Sequence, residues 1–321
     1  MKDGFERNID YLRISLTDRC NLRCVYCMPP EGFPHLAHDE ILTFEEITRF
    51  VRVMADLGVK KIRLTGGEPL VRRDVVNLVK SLHEIKGIEE IDMTTNGILF
   101  SEYASELKKA GLSRVNISLD TLNEETFKKI TGFDGLNLVL EGIESAIKEG
   151  FPVKINCVPC APLNQNDLVS VALLAKKKRV DVRFIEMMPL GCGKDFSPIM
   201  SDELLHSFEE KFGKAELCPH EKHSPAVTVQ FPGFKGKVGF ISPMSHAFCS
   251  ECNRVRLTAS GLLKFCLCFS DRLNIKDLLR SDSDDTKLKN EVLDALKKKP
   301  EAHTFNSKAQ TEKKMMAQIG G

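Results

Sequence analysis

The sequence predicts an α/β fold built on a parallel sheet. Short segments rich in strand formers alternate with longer segments of helical periodicity, and this pairing recurs six times with short connections. The strand segments are Tyr11–Thr17, Lys61–Thr65, Ile91–Thr95, Arg114–Leu119, Val153–Val158 and Asp181–Glu186. Six such units suit either a doubly wound open sheet or an incomplete barrel. Polar residues lie at the carboxyl ends of the strands, where an α/β barrel has its active face.

The elements follow one another with clear boundaries. The first strand runs directly into Asp18-Arg19-Cys20. Thr43 and Glu46 are spaced as a capping box, which predicts a helix that ends at Gly58. A further helix is expected over 167–178. The helices between these two end at glycines, namely Gly87, Gly111 and Gly150.

Beyond about Asp195 the alternating pattern breaks. A helix is expected over 202–212 and a short strand over 226–230. We therefore predict two parts, a partial barrel over 1–215 and a C-terminal region over 216–321.

Composition and charge restrict the possible functions. The chain has 321 residues, a formal net charge of +1 and interspersed charges of both signs. This balance argues against nucleic acid or an anionic membrane as the partner. No apolar run reaches transmembrane length and the polar start does not resemble a signal peptide, so a cytoplasmic location is expected. In that reducing compartment, eleven cysteines favour metal or cluster ligation over disulfides.

Three cysteines, Cys20, Cys24 and Cys27, lie within eight residues in the spacing C-x3-C-x2-C. A four-iron, four-sulfur cluster takes four thiolates, so three would leave one iron open to a substrate or cofactor. A zinc knuckle or a redox thiol cluster is the alternative, although zinc sites favour C-x2-C pairs with a fourth ligand. The loop resembles the signature of the radical S-adenosylmethionine (SAM) enzymes. The resemblance implies a partial (βα)6 barrel whose open iron binds SAM, which is then cleaved to a 5′-deoxyadenosyl radical.

The motif Gly66-Gly67-Glu68-Pro69 follows the second strand. Two glycines let the backbone approach a ligand closely, and the carboxylate of Glu68 can accept from an ammonium group. In isolation the motif is more often an ordinary turn, and Ser118 and Met188 are more often packing residues. The family resemblances imply instead that SAM is contacted by Tyr26, Gly67, Glu68, Ser118 and Met188.

A second set consists of Cys249, Cys252 and Cys266, with thirteen residues between the last two. A C-x2-C pair with a distant cysteine is most often a zinc site. The runs 248–259 and 261–267, however, closely resemble the GTP 3′,8-cyclase family, which opens molybdenum-cofactor biosynthesis. The resemblance covers essentially the whole chain and includes the first cysteine loop, 62–69, 94–97, 183–186 and the terminal Gly320-Gly321.

This resemblance implies two [4Fe–4S] clusters, one held by each cysteine triplet, with the open iron of the second binding the purine of GTP. The residues implied to bind GTP are Arg13, Arg63, Thr94, Lys154, Arg254, Val255 and Arg256. The residues implied to be catalytic are Arg183, Gly320 and Gly321, the last two on a tail that enters the barrel. Cysteines that match no ligand position are Cys157, Cys160, Cys192, Cys218 and Cys268, although Cys268 could compete with Cys266.

The basic residues on the strands make physical sense as a phosphate site. Planar guanidinium groups match phosphate oxygens, and a strand interior is a poor place for an unpaired cation. Few carboxylates lie near Arg13, Arg63, Lys154 or Arg183 in the sequence, so an anionic ligand is expected; a surface-facing side chain is the alternative at each position. The chain has no Walker-type loop, which argues against ordinary GTP hydrolysis.

The implied enzyme is a lyase that converts GTP to (8S)-3′,8-cyclo-7,8-dihydroguanosine 5′-triphosphate. The deoxyadenosyl radical takes the ribose 3′ hydrogen, and the 3′ carbon then attacks guanine carbon 8. The implied partners are a reductant protein of flavodoxin or ferredoxin type, a cyclic pyranopterin monophosphate synthase acting downstream, and a second copy of the chain. Two alternatives stay open: a radical SAM peptide- or haem-modifying enzyme with an auxiliary cluster, and a zinc-stabilised scaffold.

Overall fold

The computed structural model describes residues 1–220, 222–270, 272–281, 283–305 and 312–320. The strands are β1 (Tyr11–Ser15), β2 (Lys61–Thr65), β3 (Glu90–Thr95), β4 (Arg114–Ser118), β5 (Val153–Cys157), β6 (Cys160–Ala161), β7 (Asp181–Ile185), β8 (Ser197–Pro198), β9 (Glu216–Leu217), β10 (Ala226–Gln230), β11 (Val238–Ile241), β12 (Arg254–Leu257), β13 (Leu262–Lys264) and β14 (Arg272–Asn274). The helices are α1 (Phe44–Asp56), α2 (Val75–His83), α3 (Phe100–Lys109), α4 (Glu124–Thr131), α5 (Leu136–Lys148), α6 (Leu168–Lys177), α7 (Ser201–Phe212), α8 (Ile275–Arg280), α9 (Asp285–Leu296) and α10 (Met316–Ile319).

One large sheet organises the molecule, in the strand order β14-β13-β12-β1-β2-β3-β4-β5-β7-β11-β10-β9. Neighbours from β12 to β11 in this order all pair in parallel. All six strands predicted from the sequence lie in this parallel part. The α/β prediction is therefore confirmed. The order does not close on itself, and side chains from every strand of the parallel part line one cavity, so the sheet curves into an incomplete barrel.

The strands alternate in polarity because their two faces meet different surroundings. In β1, Leu12 and Ile14 are fully buried in the hydrophobic core, whereas Arg13 between them lines the cavity. Successive side chains of a strand point to opposite faces. Polar residues can therefore occupy every second position on the concave face while the convex face packs against the helices.

The first helix shows how local sequence fixes an element. The hydroxyl of Thr43 accepts from the Glu46 N–H at 3.2 Å, and the Glu46 carboxylate accepts from the Thr43 N–H at 2.7 Å. This is the predicted capping box. The helix buries Ile47 and Phe50, and the chain then turns at Gly58, whose φ is +97°.

The C-terminal region completes both edges of the parallel sheet. Strand β12 pairs with β1, and β11 pairs with β7. Residues before and after position 215 therefore contribute strands to one continuous sheet. The division of the chain at that point stays a prediction. Within the described ranges, every helix is too short or too polar to traverse a bilayer.

Candidate active site

A cavity of about 530 Å³ lies on the concave face of the sheet. Both predicted cysteine triplets line it, although they come from opposite ends of the chain. Cys20, Cys24 and Cys27 lie in the loop after β1. Cys249 and Cys252 flank a short helical turn before β12, and Cys266 follows β13. The fold therefore brings six thiols to one chamber.

The first cysteine loop is held by short-range hydrogen bonds. The N–H groups of Cys27 and Met28 donate to Cys24 O at 2.8 and 3.1 Å. The Asn96 amide contacts Cys20 Sγ at 3.8 Å and donates to Asn21 Oδ1 at 2.7 Å. Burial raises the pKa of Cys20 to about 11 and that of Cys27 to about 12. A bound metal reverses this effect, because a coordinating thiol is deprotonated.

The Gly66-Gly67 turn packs directly against this loop. The Gly67 N–H donates to Thr17 O at 2.7 Å, and the Glu68 N–H donates to Arg19 O at 2.9 Å. A Cβ on Gly67 would lie 2.3 Å from Arg19 O, so a residue with a side chain does not fit there. The two glycines therefore form a bare backbone surface on the cavity wall.

Glu68 lies behind this turn and is only 1% exposed. Its carboxylate accepts from the Leu70 N–H at 3.0 Å, the Thr95 hydroxyl at 2.7 Å and the Asn96 N–H at 2.7 Å. Burial raises the pKa of Glu68 to about 7, although these donors oppose the shift. The structure thus puts Glu68 inside the wall, where it joins the turn to β3, rather than on the surface expected to meet an ammonium group.

Basic groups surround the second cysteine triplet. Arg7 Nη1 donates to Cys249 O at 2.8 Å. Lys299 Nζ donates to Phe265 O at 2.5 Å and lies 3.7 Å from Cys252 Sγ. Burial opposes ionisation of Cys252, but Lys299 and then Arg254 more than offset it and lower the pKa of this thiol to about 7.

Cys266 and Cys268 face different surroundings. Cys266 lines the cavity. Cys268 is fully buried, and its Sγ accepts from the Thr304 N–H at 3.4 Å. The geometry thus favours Cys266 as the third thiol of this set.

Three arginines form a row across neighbouring strands. Arg13 of β1 is in register with Arg63 of β2 on one side and with Arg256 of β12 on the other. Adjacent strands lie about 4.8 Å apart, so three guanidinium groups project from one small area of the concave face. Burial, followed by repulsion from Arg256, lowers the pKa of Arg13 well below its usual value.

Part of this positive charge is compensated by carboxylates that the sequence did not reveal. Arg63 donates to Asp92 at 2.5 Å and to the Tyr11 hydroxyl. Lys154 Nζ lies 3.8 Å from the carboxylate of Asp181. The sequence close to Arg63 and Lys154 supplies few carboxylates, but strand pairing brings Asp92 and Asp181 to them from distant positions.

Several other predicted residues also line the cavity. These are Tyr26, Gly67, Thr94, Ser118, Arg183, Met188 and Arg254. Val255 points the other way and packs in the hydrophobic core. Lys154 lies two residues before Asn156, a cavity residue, on the same strand.

Sequence reasoning missed several polar residues of the cavity. Asn116 and Asn156 project from strand interiors, and their Oδ1 atoms are buried without a hydrogen-bond partner among the described residues. Lys299 and His303 come from the segment after α9. The two asparagines gave a usable signal, because asparagine is depleted in strands. The segment after α9 gave none.

The C-terminal tail enters this cavity. Met316 and Ala317 line it, and Arg256 Nη1 donates to Gly320 O at 2.9 Å. Gly320 has φ of +77°, and a Cβ there would lie 2.8 Å from the Ser15 Cβ. Only glycine suits this position. Gly321 lies outside the described residues.

Comparisons with known proteins agree with this architecture. Residues 14–175 match the Radical SAM superfamily, and residues 180–305 match the Molybdenum Cofactor Synthesis C family. A GTP 3′,8-cyclase from Clostridium perfringens strain SM101 is 45% identical over 100% of both chains. A GTP 3′,8-cyclase from Petrotoga mobilis is 46% identical, also over 100% of both. The chain belongs to the GTP 3′,8-cyclase family of the radical SAM superfamily.

Solved structures support the fold assignment. The crystal structure of Streptococcus suis SuiB bound to S-adenosylmethionine has a TM-score of 0.63 and 15% sequence identity, covering 97% of this chain and 78% of SuiB. At this identity the likeness concerns the fold alone. Membership of the superfamily assigns SAM and an iron–sulfur cluster as cofactors.

The site of this family member suits such cofactors. The cavity offers thiols, a bare glycine turn and buried polar atoms that still need partners. Among the described residues, no three His, Cys, Asp or Glu side chains converge on a single ion position. The assignment of the thiols to iron–sulfur clusters therefore rests on their spacing and on the family.

Proposed function

We propose that this protein is a GTP 3′,8-cyclase, a lyase that forms (8S)-3′,8-cyclo-7,8-dihydroguanosine 5′-triphosphate from GTP. The observation that carries the proposal is the meeting of two cysteine triplets and a row of arginines in one cavity. A zinc scaffold has no need for such a chamber. A peptide-modifying enzyme has no need for the arginine row.

The arginine row binds the triphosphate. GTP brings about four negative charges, and planar guanidinium groups donate to phosphate oxygens in pairs. Arg13, Arg63 and Arg256 form the row, and Arg254 lies two residues away on the same face of β12. An anion at this place offsets the mutual repulsion that lowers the pKa of Arg13. Thr94 of β3 and Lys154 of β5 extend the site along the sheet.

SAM would bind on the cavity side of the first cysteine loop and the glycine turn. Cys20, Cys24 and Cys27 would hold a [4Fe–4S] cluster, and SAM bound there would supply the 5′-deoxyadenosyl radical chemistry needed to remove the ribose 3′ hydrogen. Tyr26, Gly67, Ser118 and Met188 contact SAM. Tyr26 is oriented by its hydroxyl, which donates to Asp120 at 2.5 Å. Glu68 supports the turn from behind.

Cys249, Cys252 and Cys266 would hold a second cluster, whose open iron would bind the purine. The basic groups around this triplet stabilise its thiolates, and Lys299 lies nearest. Arg183 projects into the cavity from β7 and orients the nucleotide during the reaction. The sheet and the C-terminal segment wall the cavity and limit the access of water to the reacting carbon.

The tail closes the chamber and takes part in the reaction. Gly320 lies against Arg256 and Ser15, and Gly321 follows it. Deleting both glycines is expected to spare GTP binding and stop product formation. Normal turnover of the shortened chain would contradict this role.

The remaining partners follow from the reaction. A flavodoxin- or ferredoxin-type protein delivers two electrons, one for the cleavage of SAM and one that, with a proton, reduces the radical left after ring closure. A cyclic pyranopterin monophosphate synthase consumes the product. The enzyme acts in the cytoplasm. Its proposed assembly is a homodimer, which analytical ultracentrifugation can test.

Anaerobic reconstitution tests the proposal. Two clusters predict about eight iron atoms per chain. Addition of GTP should increase release of 5′-deoxyadenosine and yield the cyclised nucleotide by mass spectrometry. Zinc in place of iron would refute the cluster assignment. Cleavage of SAM that GTP leaves unchanged would refute the substrate.

A further inference from the structure

Lys264 and Glu312 form an ion pair that is shielded from solvent. Their side chains are 1% and 2% exposed. Lys264 is the last residue of β13, and its Nζ also donates to Phe269 O at 2.6 Å. Glu312 lies 48 residues further along the chain. Removing one partner of such a pair leaves a buried charge without compensation, which is strongly unfavourable.

Glu312 connects two parts of the molecule. Its N–H donates to Cys268 O at 3.2 Å, which ties it to the loop that carries Cys266. Its Oε1 accepts from the N–H groups of Lys313 and Lys314 at 3.0 and 2.9 Å. One carboxylate oxygen therefore faces Lys264, while the other fixes the turn that begins the tail.

The tail beyond this turn has little structure of its own. Helix α10 has four residues, too few to be stable in isolation. Ile319 is fully buried in a small cluster with Leu190, Cys268 and Phe305. Gly320 then reaches Arg256. The position of the tail therefore depends on its contacts with the rest of the molecule, among them Met315 Sδ against Cys192 Sγ at 3.8 Å, and Glu312 makes the contacts at its start.

We propose that Lys264 and Glu312, here named the tail latch, are positioning residues that hold the C-terminal tail in the cavity. The tail latch couples the tail to the loop carrying Cys266, so that Gly320 stays against Arg256 while the nucleotide reacts. The catalytic consequence rests on the proposed function. The structural consequence does not, and the two are measured separately.

Hydrogen–deuterium exchange of residues 312–320 in the full-length, anaerobically reconstituted protein tests the structural consequence. Glu312→Gln and Lys264→Met should each accelerate exchange there by at least about tenfold, because each leaves a buried charge without its partner. The double variant Lys264→Met/Glu312→Gln should return to within about threefold of the wild type, because no charge remains buried and the amide oxygen can still accept from the N–H groups of Lys313 and Lys314. Glu89→Gln breaks the exposed Lys60–Glu89 pair and serves as the control that leaves exchange unchanged.

Product analysis tests the catalytic consequence. In the single variants, cyclised GTP per 5′-deoxyadenosine should fall by at least about tenfold, while iron content and GTP affinity stay constant; the double variant should recover. Unchanged exchange in both single variants would overturn the proposal. Loss of both the iron and the order of the tail would also overturn it, because the pair would then be needed to hold the cysteine loop in place. If the single variants exchange faster but the wild-type protein cyclises no GTP, the tail latch is supported and the proposed function is refuted.

Discussion

Replacing Arg256 with alanine should weaken nucleotide binding without weakening the fold. Arg256 lies beside Arg13 in the arginine row. Burial, and then repulsion from Arg254, lower the pKa of Arg256 to about 10. Its charge is therefore poorly accommodated until an anion binds. Removing the side chain relieves this repulsion in the nucleotide-free protein.

The expected magnitude follows from the contacts. A hydrogen bond to a charged group contributes about 1.5–3 kcal/mol, and 1.36 kcal/mol corresponds to about a factor of ten. The dissociation constant for GTP should therefore rise roughly 10- to 150-fold. The substitution also removes the 2.9 Å hydrogen bond from Arg256 to Gly320 O, which lowers the stability of the fold. The relief of repulsion raises that stability and offsets the loss. The melting temperature should therefore change by less than about 3 °C.

Anaerobic calorimetry with GTP, thermal unfolding and iron analysis together test this prediction. Arg52→Ala, on the exposed side of α1, removes an equal charge away from the cavity and should leave GTP binding unchanged. Unaltered GTP affinity in the Arg256 variant would refute the reasoning. So would loss of iron with a large fall in melting temperature, which would indicate a structural role.

Three further predictions concern the cofactor side of the cavity. Gly67→Ala should lower SAM affinity at least about tenfold and destabilise the fold by about 3 kcal/mol, because its Cβ would lie 2.3 Å from Arg19 O; calorimetry and thermal unfolding measure both. Burial raises the pKa of Glu68 to about 7, so the folded state binds its proton more tightly than the unfolded state. The free energy of unfolding should therefore fall as the pH rises from about 4.5 to 7, and Glu68→Gln should reduce this slope in denaturant titrations. Cys268→Ser should keep about eight iron atoms per chain, whereas Cys266→Ser should lose about half.

Each of these predictions has a control or a contrary result. Gly150 has φ of +71°, and no atom of the described residues lies within 4 Å of the place that a Cβ would take there, so Gly150→Ala should leave SAM affinity unchanged. Wild-type SAM affinity in the Gly67 variant would contradict the close-approach argument. If the free energy of unfolding of Glu68→Gln keeps the wild-type dependence on pH, another group is responsible for the titration. Iron loss in Cys268→Ser would overturn the choice between the two thiols.

Local sequence predicted much of the fold because local contacts determine it. Thr43 and Glu46 satisfy each other's backbone N–H groups within one turn, so their spacing alone predicts where α1 begins. The strands were recognisable from their composition and from the glycines that end the intervening helices. The first cysteine triplet was recognisable because its three thiols lie within eight residues, whereas the second was recognisable from its resemblance to the family.

Long-range pairing could not be predicted in this way. Asp92 compensates Arg63 only because β3 lies beside β2 in the observed register. Arg256 lies beside Arg13 although 243 positions separate them in the sequence. The paired Tyr11 and Arg254 have the same separation. Two of the three hydrogen bonds to Glu68, those from Thr95 and Asn96, likewise depend on its position beside β3. No local pattern encodes such neighbours.

The pairing of β1 with β12 has a consequence for how the enzyme matures. A ribosome releases the N-terminal half of a chain long before the C-terminal half, and early segments fold first. Here the first strand of the chain waits for a neighbour made late in translation. Until that neighbour is made, β1 is an unpaired edge beside the first cysteine loop, and the C-terminal wall of the chamber is absent.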